Sequence, residues 1–270
     1  MFNKGIEVSL STENVKASKF SWSSSFSFAY NKNEIIHLFG DIDGDGIEDD
    51  APENNWFIGE HINAYFDYEF DGIYQEGDEI PSGHFPGDIR LKDNSGNDTI
   101  GVNDRTIVGH GKFPDFTFTF NNTFSYGNLS LYISMNSMFG WVAPFDLVYP
   151  HGPGIPMNFL DVDYWTPENR SNTYPSLLYS NAGRDNHYYV SRDFLRISNV
   201  ALSYNLNTSN LPILSGFSSL RFTFSIKNLY TFTKWLGPDP ENAKDITTIK
   251  GSRDHFPMPR IYSLGINMSF

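Results

Sequence analysis

The sequence predicts an all-β chain, an antiparallel transmembrane β-barrel segment of about seven spanning strands from a larger barrel, with long extracellular loops. Three observations carry this expectation. Aromatic residues make up 16% of the 270 residues, with 24 Phe and 15 Tyr, a bias toward extended, pleated backbone. Apolar and polar residues alternate with period two in segment after segment. Very short and very long connections alternate between these segments, as the short turns and long outer loops of outer-membrane barrels do.

Taken in order, Ile6, Val8 and Leu10 line one face of a first strand, and Phe20, Trp22, Phe26, Phe28 and Tyr30 one face of a second. Trp56 to Tyr74 is strand-like, but the parity of the crossings implies that it does not span. Phe116, Phe118, Phe120, Phe124 and Tyr126 then alternate with Thr117, Thr119, Asn121, Thr123 and Ser125. A two-residue turn signal, Gly127-Asn128, leads into Leu129, Leu131, Ile133 and Met135, which predicts a hairpin. No charged residue occurs from 116 to 145. Val200, Leu202, Tyr204 and Leu206 predict the next strand, and Phe222, Phe224, Ile226, Tyr230 and Phe232 the one after. Tyr262, Leu264, Ile266, Met268 and Phe270 form the apolar face of the last, with Ser263, Gly265, Asn267 and Ser269 opposite. Runs of ~10 residues exceed the ~5 to 6 of soluble sheets and suit a tilted crossing of a bilayer.

If Phe270 ends in the periplasm, 234–258 and 142–191 are outer loops, 208–216 and Gly127-Asn128 are periplasmic turns, and 11–19 is a short periplasmic connection. Residues 31–113 are then an extracellular loop region. Seven spans are an odd number, and single-chain bacterial barrels have even ones, so the chain is not expected to close alone.

Composition narrows the function classes. Lys plus Arg number 19 against 32 Asp plus Glu, a formal charge of -13, which repels phosphate backbones and argues against nucleic acid as a partner. There is no cysteine, so neither a disulfide framework nor a thiolate metal site is available. No apolar stretch of ~18 residues predicts a transmembrane helix, and the start MFNKGIEVSL lacks the features of a signal peptide. The chain is therefore either cytosolic or a piece of a longer precursor.

Motifs in order along the chain decide between these. Asn3-Lys4-Gly5-Ile6-Glu7-Val8, Trp56-Phe57-Ile58-Gly59-Glu60, Tyr68-Glu69-Phe70-Asp71-Gly72-Ile73-Tyr74-Gln75, Pro86-Gly87-Asp88-Ile89-Arg90 and Asn103-Asp104-Arg105-Thr106-Ile107-Val108-Gly109 are followed by Tyr164-Trp165-Thr166-Pro167-Glu168-Asn169 and Phe194-Leu195-Arg196-Ile197-Ser198-Asn199-Val200. Lys227-Asn228-Leu229-Tyr230-Thr231-Phe232-Thr233 and Pro257-Met258-Pro259-Arg260-Ile261-Tyr262 complete the series. Together they resemble the SusC/RagA family of TonB-linked outer-membrane receptors. The resemblance implies a large barrel around an N-terminal plug, import of glycans or peptides through the cell outer membrane, a SusD-like surface lipoprotein as partner, and energy from the TonB complex acting through the missing N-terminal part. Residues 1–270 then correspond to the C-terminal segment, with plug domain and signal peptide absent. The even-numbered residues Tyr262 to Phe270 are expected to face outer-membrane lipid, and the terminal Phe270 resembles the signal that the barrel-assembly machinery reads.

Two acidic loops suggest metal. Asp41-Ile42-Asp43-Gly44-Asp45-Gly46-Ile47-Glu48-Asp49-Asp50 spaces carboxylates at alternate positions with Gly sixth, the arrangement that wraps a short loop around Ca2+. Its candidate ligands are Asp41, Asp43, Asp45, the Ile47 carbonyl, Asp49 and Asp50; Pro52 stands where a bidentate Glu is usual. A second loop, 93–104, has Ser95, Asn97 and Gly101 where stronger ligands belong, so the first is expected to bind Ca2+ more tightly. An acidic turn without metal is the competing reading of both.

Trp141, Tyr149, Tyr164, Trp165 and Trp235 are candidates for stacking on ligand, against a plain role in pinning loops or marking the membrane interface. The seven His show no HxxxH spacing and no G-x-S-x-G element is present, so no enzyme is expected. A soluble or surface β-sandwich that binds carbohydrate, with structural calcium, is the alternative, separable by membrane partition.

Overall fold

The computed structural model describes residues 1–111, 113–144, 161–178, 188–207, 216–237, 239–241 and 258–270. Seven long strands form one antiparallel sheet: β1 (Phe2–Lys16), β2 (Phe20–Glu34), β7 (Phe116–Tyr126), β8 (Leu129–Phe139), β11 (Phe194–Leu206), β12 (Ser219–Thr233) and β13 (Ile261–Ser269). They follow one another in that order across the sheet, each bonded to the next, as a run of barrel hairpins requires. Six short strands lie in the long connections: β3 (Ala64–Tyr68), β4 (Phe70–Ile73), β5 (Ile89–Leu91), β6 (Arg105–His110), β9 (Val142–Pro144) and β10 (Tyr189–Ser191). They pair as β3–β6, β4–β5 and β9–β10. Trp56 to Tyr74 thus yields two short strands and no span.

The register shows why alternating sequences make this sheet. Leu264 pairs with Phe224, Phe224 with Leu202, Leu202 with Leu131, Leu131 with Phe124, and Phe124 with Trp22. One row lower on the other face, Ser263, Ser225 and Ala201 give way to Tyr132, Thr123 and Ser23. Because the side-chain period is two, aligned hairpin registers gather the large majority of apolar residues on one face. Bulges in β1 near Asn14 and in β11 near Ser198 reset the parity without breaking the face.

Among the described residues nothing covers that apolar face. Leu264 is 78%, Ile266 52%, Phe224 44% and Leu202 43% exposed, and none of the small sheets packs on it among the described residues. A sandwich would need a second sheet there, so the sandwich alternative fails. An aqueous sheet of this kind would aggregate; in hydrocarbon the same face is the stable one.

Two boundaries differ from expectation. β1 continues through the stretch read as the 11–19 connection, reaching Lys16. Its Glu7, Glu13 and Lys16 stand on the polar face, where charge meets water, so they do not interrupt the strand. β2 runs on to Glu34, so the connection read as 31–113 starts later: four polar residues prolong the strand past its apolar face.

Candidate functional site

The long connections gather at one end of the sheet around a small core of their own. Ile73, Ile89, Ala143, Trp165, Val190 and Trp235 form it, with Phe70, Tyr174 and Tyr188 packed against it. Gly87 makes room for the largest member: a Cβ there would come within 2.5 Å of the Trp165 ring, and its φ of +92° is open to glycine. Trp165 Nε1 donates to Gln75 Oε1 at 3.0 Å, and Gln75 in turn donates to the Ser171 carbonyl.

Beside this core lies a buried cationic pair. Arg192 sits 3.7 Å over the Trp141 ring and donates to the Pro240 carbonyl at 2.6 Å. Burial pulls its pKa down to about 10, which leaves it charged at neutral pH. Arg196, 2% exposed, pairs with Asp239 at 2.7 Å and with Glu241, and donates from Nε to Thr231. Arg196 lies on the polar face of β11, so these bonds fasten 239–241 over the end of the sheet.

The acidic loop turns back on its first carboxylate and brings together three of its six candidate ligands. Asp41 accepts the backbone N–H groups of Gly44, Asp45 and Gly46 at 2.6 to 3.1 Å, which hold its carboxyl below the usual range, Gly46 first. Positive φ at Gly46, +91°, lets the chain turn back on that carboxylate. Ligand oxygens of Asp41, Asp43 and Asp49 lie within 4.8 Å of one another. Asp45 instead accepts from Ile47 N at 2.8 Å, and Asp50 turns away to cap Ile58 N at 2.7 Å. Glu48 faces the loop's base, accepting from Leu38 N and bonding His37 Nδ1 at 2.8 Å. The donor set is all hard oxygen, which suits Ca2+.

The second loop repeats the wrapping with fewer carboxylates. Asp93 accepts from Gly96, Asn97 and Asp98 N, and Asn97 from Thr99 N. Asp104, fully buried, accepts from Gly101 N at 2.7 Å and Ser95 N at 2.8 Å, which holds its pKa near 2. Its two oxygens already close the turn.

Of the stacking candidates, Trp141, Trp165 and Trp235 are only 6%, 7% and 6% exposed. They pin the loops, the plainer of the two roles. Tyr164 is half-buried and bridges to Tyr174; Tyr149 lies outside the described residues. Sequence reasoning missed a groove of about 380 Å3 lined by Tyr68, Glu69, Phe70, Thr106, Tyr188 and Tyr189 among others. The i, i+2 spacing of Tyr68 and Phe70 was the available signal. Tyr262, Leu264, Ile266, Met268 and Phe270 all stand exposed along the edge strand and terminus, Phe270 at 88%.

Comparison with known proteins fits this geometry. No family model matches the chain. TonB-dependent receptor P3 of Formosa agariphila is 30% identical over 290 residues, covering 99% of this chain and 28% of the relative. TonB-dependent receptor SusC of Bacteroides thetaiotaomicron is 23% identical, again over 99% of this chain and 26% of its own length. The RagAB peptide importer in the open-open state superposes with a TM-score of 0.70 at 23% identity, covering 99% of this chain and 28% of that one. Over 99% of its length the chain is thus similar to the C-terminal part of TonB-dependent receptors of the SusC/RagA type. It spans under a third of the length of these relatives. The seven-stranded sheet is accordingly a section of barrel wall, and its place is the outer membrane.

Proposed function

We propose that this chain is the C-terminal wall section and the associated outer-loop assembly of a TonB-dependent transporter that imports glycans or peptides. The long connections face the outside, where a SusD-like lipoprotein docks, and the TonB complex acts through receptor sequence outside this chain. The observation that carries the reading is the wall itself: a single sheet with one continuous apolar face and one Ser-, Thr- and Asn-rich face, aligned in register over seven strands. No catalytic step is needed for this role, since import rests on binding and on conformational work. Deletion of the full-length receptor should abolish growth on the glycan or peptide it imports, with complementation restoring it. Unchanged growth and uptake on every such substrate would contradict the reading.

In this reading Ca2+ stiffens the 41–50 loop. In it Asp41, Asp43 and Asp49 supply the carboxylates and Ile47 its carbonyl. Calorimetry on the two loops grafted into one host should show the 41–50 loop binding Ca2+ at least tenfold more tightly than 93–104, since affinity follows ligand charge count. Equal affinities, or no binding by the first loop, would contradict it.

A further inference from the structure

We propose that the outward face of the wall, at its loop end, carries a headgroup site for a zwitterionic phospholipid with a primary ammonium group; the proposal rests on the wall reading and adds a specific lipid partner to it.

The site is a groove of about 640 Å3 between the start of β11 and the end of β12, reached by Phe139 at the end of β8. Its floor is the apolar face itself. Tyr230 and Phe232 of β12 are 53% and 52% exposed, with ring centroids 4.6 Å apart, and Leu195 of β11 pairs with Phe232. Tyrosine beside bare apolar rings at the end of a membrane strand marks the level where hydrocarbon gives way to headgroups.

Following the same parity past the ladder places two charges in this groove. Phe194 pairs with Thr233, so Asp193 and Lys234 come next, opposite one another and on the side of Leu195 and Phe232. Both line the groove. Apolar rings below and charges above fit an amphiphile standing along the strands, with its chain on the rings and its head at the charges. Lys234 is exposed, and its stem can lie on apolar surface while the ammonium reaches phosphate level.

The pair of charges chooses the headgroup. Asp193 spends one carboxylate oxygen on the Gly140 N–H at 2.8 Å, which orients the side chain; its second oxygen has no bond among the described residues. A purely anionic lipid would meet Lys234 favourably and Asp193 unfavourably. A phosphate with an ammonium group beside it answers both, the phosphate at Lys234 and the ammonium N–H groups at Asp193. A quaternary ammonium carries the charge but has no N–H to donate, so it cannot complete the second contact.

The test uses the full-length receptor in nanodiscs of equal parts phosphatidylethanolamine, phosphatidylcholine and phosphatidylglycerol, with a benzophenone photolabel in place of Phe232 and mass spectrometry of the adducts. Phosphatidylethanolamine adducts should exceed those of each other lipid about fivefold, the scale of one or two interfacial ion pairs. Asp193→Asn keeps an oxygen for Gly140 and should erase that preference in favour of phosphatidylglycerol, and Lys234→Gln should lower the phosphatidylethanolamine yield, both with heat-modifiable gel migration unchanged. Equal labelling of the three lipids, or a preference that survives Asp193→Asn, would overturn the site and leave the wall reading standing. An adduct to the receptor's own chain would do the same, by showing a loop in the groove. Lipid adducts missing both here and with the label at Leu264 would overturn the wall reading as well.

Discussion

In the loop assembly Ile73 and Trp235 are 0% and 6% exposed, whereas on the wall Leu264 and Ile266 are 78% and 52% exposed. The same residue types obey opposite rules because the two regions meet different solvents. Water drives the loop side chains inward; hydrocarbon requires only that backbone groups be paired and that the outward side chains be apolar. Polar groups invert likewise. The loops bury Asp104, Arg192 and Asp239 with partners, while the wall places Ser, Thr and Asn on its other face. Burial is thus a poor guide to importance here, and parity a good one.

The largest effect that separates the two regions is expected at Arg196. Arg196→Leu removes the guanidinium that pairs with buried Asp239 and with Glu241 and should destabilise the loop assembly by about 3 to 5 kcal/mol. Limited proteolysis of the full-length receptor should then cut the loops while heat-modifiable migration shows the barrel intact. Collapse of both together would show that wall and loops are one cooperative unit.

Next in size is a pair on the wall. Leu264→Arg places a charge on the lipid face and should cost about 2 to 4 kcal/mol near mid-membrane, and Ser263→Arg on the opposite face much less. Folding titrations in bilayers measure both. Equal costs would undo the assignment of faces.

A smaller effect belongs to the junction. His61 stacks on His110 at 4.4 Å, and its Nδ1 accepts from Asn63 N at 3.0 Å. Burial first, and then His110, lower the His61 pKa to about 4. A base with a depressed folded pKa binds protons more readily when unfolded. Stability is therefore complete above the unfolded value of about 6.5 and falls as pH drops from there toward 4. Half-exposure weakens the effect, so the loss at pH 5 should be about 1 kcal/mol. Hydrogen exchange of the Asn63 amide should report it, and His61→Gln should flatten the profile; an unchanged slope in the variant would assign the effect elsewhere.

Much of the wall was legible in the sequence, because period two is a local signal and an uncharged aromatic face has few other uses. The hairpin at Gly127-Asn128 came out as expected. The ends of β1 and β2 did not, since Glu13, Lys16 and Asn33 belong to strand that leaves the apolar band, where hydropathy gives no cue. In the site, the wrapping of 41–50 followed from spacing, yet the turning of Asp50 toward Ile58 did not, because its partner comes from a different turn. The fate of the tryptophans was illegible for the same reason: Trp165 is buried by Gly87 and Gln75, distant in the chain.

The central claim is that alternate residues of the wall face lipid and water. The chain contains no cysteine, so within this section single labelling sites can be introduced cleanly. Spin labels at Phe118, Leu131, Leu202 and Leu264, and at Thr119, Ser130, Ala201 and Ser263, in the full-length receptor in bilayers, measure accessibility to oxygen and to a water-soluble nickel chelate. The account predicts that the first set collides with oxygen and not nickel, and that the second shows the reverse trend, with period two along every strand. Apolar positions shielded from both reagents, as in the interior of a sandwich, would contradict it.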